Sequence, residues 1–216
     1  MTAISTIAPS QRSTYRHGDL RRTLLEAGIE LARRGGPDAV VLREATRRAG
    51  VAPNAAYRHF ASRQALLQAV RAFALSAVAR AMEDELATLS PDLPAADFAR
   101  ASVRAVGTAY LRFAQTETGL FRTAFAASDK LLQGTPELPT AGPGGLNPFE
   151  LLGAALDRLV QAGVMPPERR PGAEFLAWSA VHGLAMLVID GPLASVVGPQ
   201  MQRIGQRLLD MVEKGL

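Results

Sequence analysis

Eleven arginines and no lysine fall within the first 63 residues of this 216-residue chain, and a short stretch among them carries Asn54, Tyr57 and His59. Guanidinium, phenol, imidazole and amide groups at close spacing are equipped to bind phosphates and base edges rather than to break bonds. Five acids oppose those arginines, leaving residues 1–63 at +6, whereas residues 64–216 carry 13 basic and 15 acidic side chains, or −2. A positive end that attracts phosphate, ahead of a larger near-neutral body, implies two tasks in one chain. Other chemistries have little to stand on. Ser179, His182 and Asp190 are the residue types of a hydrolytic triad, but their spacing strings them along one predicted helix, and nothing resembles a nucleophile elbow. His17, His59 and His182 are too scattered to ligate a metal. The chain has no cysteine, which excludes disulfides and thiolate chemistry and fits a reducing compartment. No catalytic residue, metal or cofactor is expected.

The elements that must position the basic residues are punctuated clearly. Leu20, Leu24, Ala27, Leu31 and Ala32 recur at helical spacing, and Gly35-Gly36-Pro37 stops that helix. A second helix is predicted over 42–49, Gly50 supplies a tight corner, and Pro53 suits the first turn of a third, where its missing N–H costs nothing. Two short helices joined at a glycine are the sequence form of a helix-turn-helix, whose second helix enters a DNA major groove. Residues 15–62 form this head. Residues 1–14, small and polar, are expected to be a flexible arm, and Arg12 and Arg16 could follow a minor groove. Ser62 can cap a fourth helix running to about Leu89, a rod of ~40 Å that links head to body. Further helices are predicted at 96–116, 119–128, 147–163, 168–190 and 199–214. Four prolines and four glycines make 134–148 a long flexible loop. No strand period persists, so the fold class is all-α: a three-helix head and a C-terminal helical domain over 63–216. The N-terminus lacks the pattern of a signal peptide, and prolines or polar residues interrupt every candidate membrane span. A cytoplasmic protein with no membrane partner is expected.

Five blocks, in order and at conventional spacing, resemble the TetR family of bacterial transcriptional regulators: His17-Gly18-Asp19-Leu20, Leu42-Arg43-Glu44, Arg48-Ala49-Gly50-Val51, Tyr57-Arg58-His59-Phe60 and Arg63-Gln64-Ala65-Leu66-Leu67. They cover about a quarter of the chain. A looser resemblance lies at Trp178, His182 and Gly183, similar to the Trp-x-x-x-His-Gly pattern of one ligand-domain type in that family. Two positions depart from the family pattern. Thr46 stands where alanine is usual, so its hydroxyl must find a backbone acceptor or face outward. Ala52 stands where Ser or Thr commonly caps the recognition helix, a loss worth ~1 kcal/mol that Pro53 partly offsets.

The resemblance implies that Tyr57 and His59 donate to phosphate and that Arg63 adds charge to the same strand. Tyr57 packed in the core and His59 merely capping its helix are the alternatives. For base readout Asn54 could pair with adenine, Ala55 could meet a thymine methyl, and Arg43 could reach guanine or a phosphate. Ala56 and Phe60 are assigned to the core. One such head grips few base pairs, so a homodimer on a palindromic operator, with recognition helices ~34 Å apart, is expected. Leu184, Leu187, Val188, Met201, Ile204, Leu208, Leu209 and Met211 offer stripes for a four-helix interface between copies, or for burial within one monomer. The resemblance further implies a small-molecule effector, with Phe98, Tyr110, Phe113, Phe121, Phe125, Trp178, His182 and Met186 as candidates to line its pocket, and repression as the default action. A nonspecific architectural DNA binder is the alternative function; it explains the basic head but not the aromatic body. Operator titrations should find that Tyr57→Phe weakens all DNA about equally, whereas Asn54→Ala relaxes choice at one position per half-site by ~1–3 kcal/mol. A changed sequence preference in Tyr57→Phe would reject these roles.

Overall fold

Leu20, Leu24, Ala27, Leu31 and Ala32 turn one face of α1 (Leu20–Gly35) into the core of the head. The computed structural model describes residues 20–126, 139–197 and 200–215, so the arm over 1–14, Arg16, His17 and Asp19 lie outside the described residues. After a short 3₁₀ turn at Pro37–Ala39 come α2 (Leu42–Ala49) and α3 (Pro53–Tyr57). Gly50 ends α2 with φ of 67°, a left-handed conformation that favours glycine, and its N–H bonds back to the carbonyl of Arg47. Thr46 is buried, and its hydroxyl donates to the Arg43 carbonyl at 2.7 Å, the first of the two outcomes open to it. Ala52 gives α3 no side-chain cap, and Pro53 occupies the first turn.

The body is built from α4 (Arg63–Leu86), α5 (Ala95–Thr116), α6 (Thr118–Phe125), α7 (Pro148–Gln161), α8 (Ala173–Ile189), the single turn α9 (Ala194–Val197) and α10 (Met201–Gly215). No strand occurs among the described residues. Ser62 caps α4, its hydroxyl accepting from the Ala65 N–H at 3.1 Å. The helix ends three residues before Leu89, making a rod of about 36 Å. By length and composition α4 could cross a bilayer. Here it lies between α1, α5, α6 and α7, with Leu66, Val70, Val78 and Met82 in the core.

Helix α5 is the central post, touching α4, α6, α7, α8 and α10. Gly107 lets α10 approach it closely: a Cβ there would stand 2.3 Å from the Leu209 side chain. Arg104 ties the same pair electrostatically, bonding Asp210 and, at 2.6 Å, Glu213. Residues 139–147, the described part of the predicted flexible loop, are fastened to α4. Ser76 donates to the Ala141 carbonyl at 2.7 Å, and Glu83 accepts from the Gly144 N–H at 3.0 Å. Asn147 then caps α7, with Glu150 accepting from the Asn147 N–H. The expected interface stripe divides. Met201 and Leu209 are buried inside the monomer, Leu209 where α10 packs on α5 at Gly107, whereas Leu187 and Met211 face outward.

Head and body meet where α6 lies on the carboxyl end of α1. A Cβ on Gly119 would come within 2.2 Å of the Ala32 carbonyl oxygen and 2.3 Å of that of Arg33, so only glycine fits. Arg33 reinforces the contact by donating to Glu117 at 3.2 Å. Gly119→Ala should therefore cost ~1–3 kcal/mol of stability through overpacking. Calorimetry should find a midpoint lower by several degrees, at ~2–4 °C per kcal/mol for a chain of this size; an unchanged midpoint would contradict this close seating.

Candidate functional site

On the head, α3 presents Asn54 and Tyr57 to solvent, Tyr57 with 56 % of its surface exposed, so the core alternative for that ring does not hold. Ala55 and His59 are half-buried, Ala55 against the core, and Ala56 and Phe60 are buried as assigned. The arginines sort by what they already bind. Glu44 takes hydrogen bonds from Arg47 and from Arg48, which hold its carboxyl down to about 2. Arg63 donates to the backbone carbonyls of Val40 and Pro37, both at 2.8 Å, bracing the start of α4 against the turn before α2. Arg43, in the first turn of α2, and Arg58, at the end of α3, are exposed and have no carboxylate partner among the described residues. Two exposed arginines free of carboxylates thus stand on the helix-turn-helix itself, one on α2 and one at the end of α3.

Within the body, α4, α5, α7, α8 and α10 enclose a cavity of about 220 Å³. Tyr110, Phe125, Phe149 and Trp178 supply aromatic walls, Leu75, Val103 and Leu152 aliphatic ones, and Thr140 and Asn147 of the fastened loop close one side. The Tyr110 hydroxyl organises the aromatic wall. It accepts from the Trp178 indole N–H at 3.1 Å and stands 2.7 Å from His182 Nδ1. Burial pushes the Tyr110 hydroxyl well above its ordinary value, against the pull of the Trp178 bond, so it keeps its proton and can donate to a neutral imidazole. Burial pushes His182 below its ordinary 6.5. Its ring lies 5.2 Å from Phe125 and 5.8 Å from Phe121. Arg71 also lines the cavity, with only 7 % of its surface exposed. Its Nε donates to the Ala124 carbonyl at 3.1 Å, and its Nη2 has no partner among the described residues.

The C-terminal half, residues 103–212, matches the family model described as the tetracyclin repressor-like C-terminal domain, and residues 24–70 match that of the bacterial regulatory proteins of the tetR family. The chain belongs to the TetR family. TetR-family members are DNA-binding, ligand-responsive transcriptional regulators. The search of curated proteins finds no significant match. Among solved structures, the chain is similar to a Rhodococcus sp. RHA1 protein of unknown function, at 25 % identity and a TM-score of 0.72, over 95 % of this chain and 99 % of that one. The TetR-family regulator PfmR from Thermus thermophilus shares 21 % identity, with a TM-score of 0.56, over 89 % and 98 %. FadR from Bacillus subtilis, solved with stearoyl-CoA, shares 12 %, with a TM-score of 0.60, over 90 % and 98 %. The last two likenesses concern the fold.

Of the pocket residues expected in this TetR-family body, the structure places Tyr110, Phe125 and Trp178 on the cavity wall. His182 stands behind Tyr110, Phe121 is fully buried edge-on against the Tyr110 ring, and Phe113 is core. Phe98 sits half-buried in the first turn of α5, and Met186 lines a second hollow with Arg122 and Asp190. Sequence reasoning passed over Arg58, Phe149 and Arg71. Arg71 had a signal: it shares a helical face with Leu67, Ala74 and Val78, where an arginine is out of place.

His182 has a measurable consequence. Its folded-state value lies below that of the unfolded chain, so the neutral ring's contribution is complete above pH 6.5 and is lost as pH falls through the folded-state value. Thermal midpoints measured from pH 7.5 to 5 should fall more steeply for the wild type than for His182→Gln; parallel curves would show that the ring is not buried neutral.

Proposed function

We propose that the chain is a homodimeric transcriptional repressor that binds a palindromic operator and is released from it by a small, largely apolar effector held in the body. The observation that carries this reading is the continuity of α4. One helix starts at Arg63, beside the recognition helix, and passes Gln68, Arg71, Ala72, Leu75 and Met82 on the cavity wall. An occupant that prefers one position of that rod changes the separation of two heads, and differential affinity for the two spacings is all that release requires. The FadR complex with stearoyl-CoA supports an acyl or similarly apolar ligand for this fold.

On the head, residues 15–62, Tyr57 and His59 serve as phosphate donors and Asn54, Ala55 and Arg43 as base readers. Arg63 acts mainly by bracing α4, and Arg58 joins Arg43 as phosphate-facing charge. In the body, 63–216, a second copy covers the outward faces of α8 and α10. Leu176, at 67 % exposure, Leu187 and Met211, at 61 %, are large apolar side chains left open there. A regulator rather than an enzyme is supported by the fate of the triad residue types: Ser179 is exposed, His182 is bonded to Tyr110, and Asp190 pairs with Arg122. A cytoplasmic location follows from work on DNA.

Replacing Leu187 and Met211 together by glutamate should halve the mass seen in sedimentation, from twice 23.0 kDa to 23.0 kDa, and abolish footprints on any inverted repeat upstream of the gene. A wild-type protein that sediments as one subunit, or that coats DNA without choosing a symmetric site, would refute the proposal.

A further inference from the structure

We propose that the cavity selects compact apolar molecules carrying one carboxylate, and that Arg71 holds the carboxylate. The inference rests on reading the cavity as the effector site. Its basis is a charge without a counter-charge. Arg104, Arg122 and Arg170 each reach a carboxylate, whereas Arg71, more buried than any of them, has none within 4.0 Å among the described residues. A guanidinium stays protonated in proteins, so the cation persists even though burial lowers its proton affinity. Among the described residues its single bond runs from Nε to the Ala124 carbonyl, which leaves buried Nη2 without a partner, and the side chain lines the cavity. Buried polar groups without partners are rare in native proteins and call for a missing one.

The surroundings define what that partner can be. Gln68 and Thr140 are neutral, and the rim carboxylate of Glu150 is engaged with the Asn147 N–H at 2.8 Å. The lining therefore carries one cation, Arg71, and one anion, Glu150, which is held by a backbone N–H and is not paired with Arg71, so the guanidinium still has no carboxylate of its own. A phosphate dianion would bring a second charge and more acceptor oxygens than a single guanidinium can satisfy, whereas a carboxylate matches it. Four aromatic side chains and a larger set of aliphatic ones make up the rest of the apolar lining. A cavity of ~150 Å³ can hold benzene, so about 220 Å³ suits an arylalkanoate or a medium-chain fatty acid. Because Arg71 lies on α4 and its existing bond goes to the last turn of α6, a carboxylate drawn to it acts where these two helices are tied together.

Trp178 is the chain's single tryptophan and lines the cavity, so its fluorescence reports occupancy directly. Full-length protein would be titrated with 4-phenylbutanoate and octanoate, the corresponding amides, 2-phenylethyl phosphate, and ethylbenzene. The acids should bind the wild type roughly ten- to a hundredfold more tightly than their amides. Arg71→Met should erase that preference while leaving amide affinity in place, and Arg71→Lys should retain part of it, with circular dichroism confirming the helical fold of both. Without ligand, Arg71→Met should melt no earlier than the wild type; a drop of more than about 5 °C would make the guanidinium a strut on α6 and overturn the assignment. It is equally overturned if acids and amides bind the wild type alike, if the phosphate ester binds best, or if Arg71→Met keeps the acid preference. In those cases the cavity reading survives. Should none of the probes, ethylbenzene included, change the Trp178 signal, the cavity reading itself falls and takes the carboxylate with it.

Discussion

Helix α4 has to be buried on opposite sides at once, and much of the rest of the molecule follows from that. Toward the head, Leu66 and Val70 press on α1 so closely that a Cβ at Gly28 would stand 2.8 Å from Val70. Toward the body, Ala72, Leu75 and Met82 face the cavity and α5. A helix shared by two cores cannot keep a wide polar stripe, so it reads as apolar nearly all round, the pattern otherwise seen in membrane spans. Because it belongs to both cores, neither can shift without displacing it.

A second tie runs through α6. Gly119 brings its backbone onto the last carbonyls of α1, Arg33 reaches Glu117, and the Arg122 side chain lies beside Gly36 while pairing with Asp190 at the end of α8. The head is therefore held by α4 through side-chain packing and by α6 through backbone contact. The bond from Arg71 on α4 to Ala124 on α6 lies between those two supports. An occupant that competes for that guanidinium acts at the junction of both ties. Long-range coupling needs two arrangements that a ligand can distinguish, and packed interfaces of this sort shift between discrete states rather than deforming smoothly.

The head was largely legible in the sequence because its helix limits are set by residues with a local physical effect. Gly35-Gly36-Pro37, Gly50, Pro53 and Ser62 act within one turn of where they stand, so no tertiary knowledge is needed to place them. What a side chain binds at long range was not legible. Arg63 reads as phosphate-seeking charge, but its partners are carbonyls 23 and 26 residues earlier. Phe121 and Phe125 are four apart on α6 with the same chemistry, yet one is sealed in the core and the other lines the cavity, since helical spacing fixes a face and not what lies opposite it. The loop over 139–147 reads as flexible from its prolines and glycines because Ser76 and Glu83, which fasten it, lie some sixty residues away. Which members of the α10 stripe turn inward was not legible for a related reason: Gly107 on α5, distant in sequence, opens the groove that takes Leu209.

Arg71 sets stability against use. A buried cation without a carboxylate partner costs several kcal/mol in effective desolvation, and one backbone hydrogen bond of about 1.5–3 kcal/mol offsets only part of it. Domains are stable by only ~5–15 kcal/mol in total, so the deficit is a sizeable fraction of what holds the fold together. The chain has the means to avoid it. Arg104 and Arg170 each engage two carboxylates, and a methionine at position 71 would fill similar space without charge. A carboxylate arriving from outside the chain repays the desolvation already incurred, and gives up its own hydration to do so. An amide of the same shape leaves the guanidinium's charge uncompensated. The same unpaired charge that weakens the body thereby makes the cavity discriminate by charge as well as by shape.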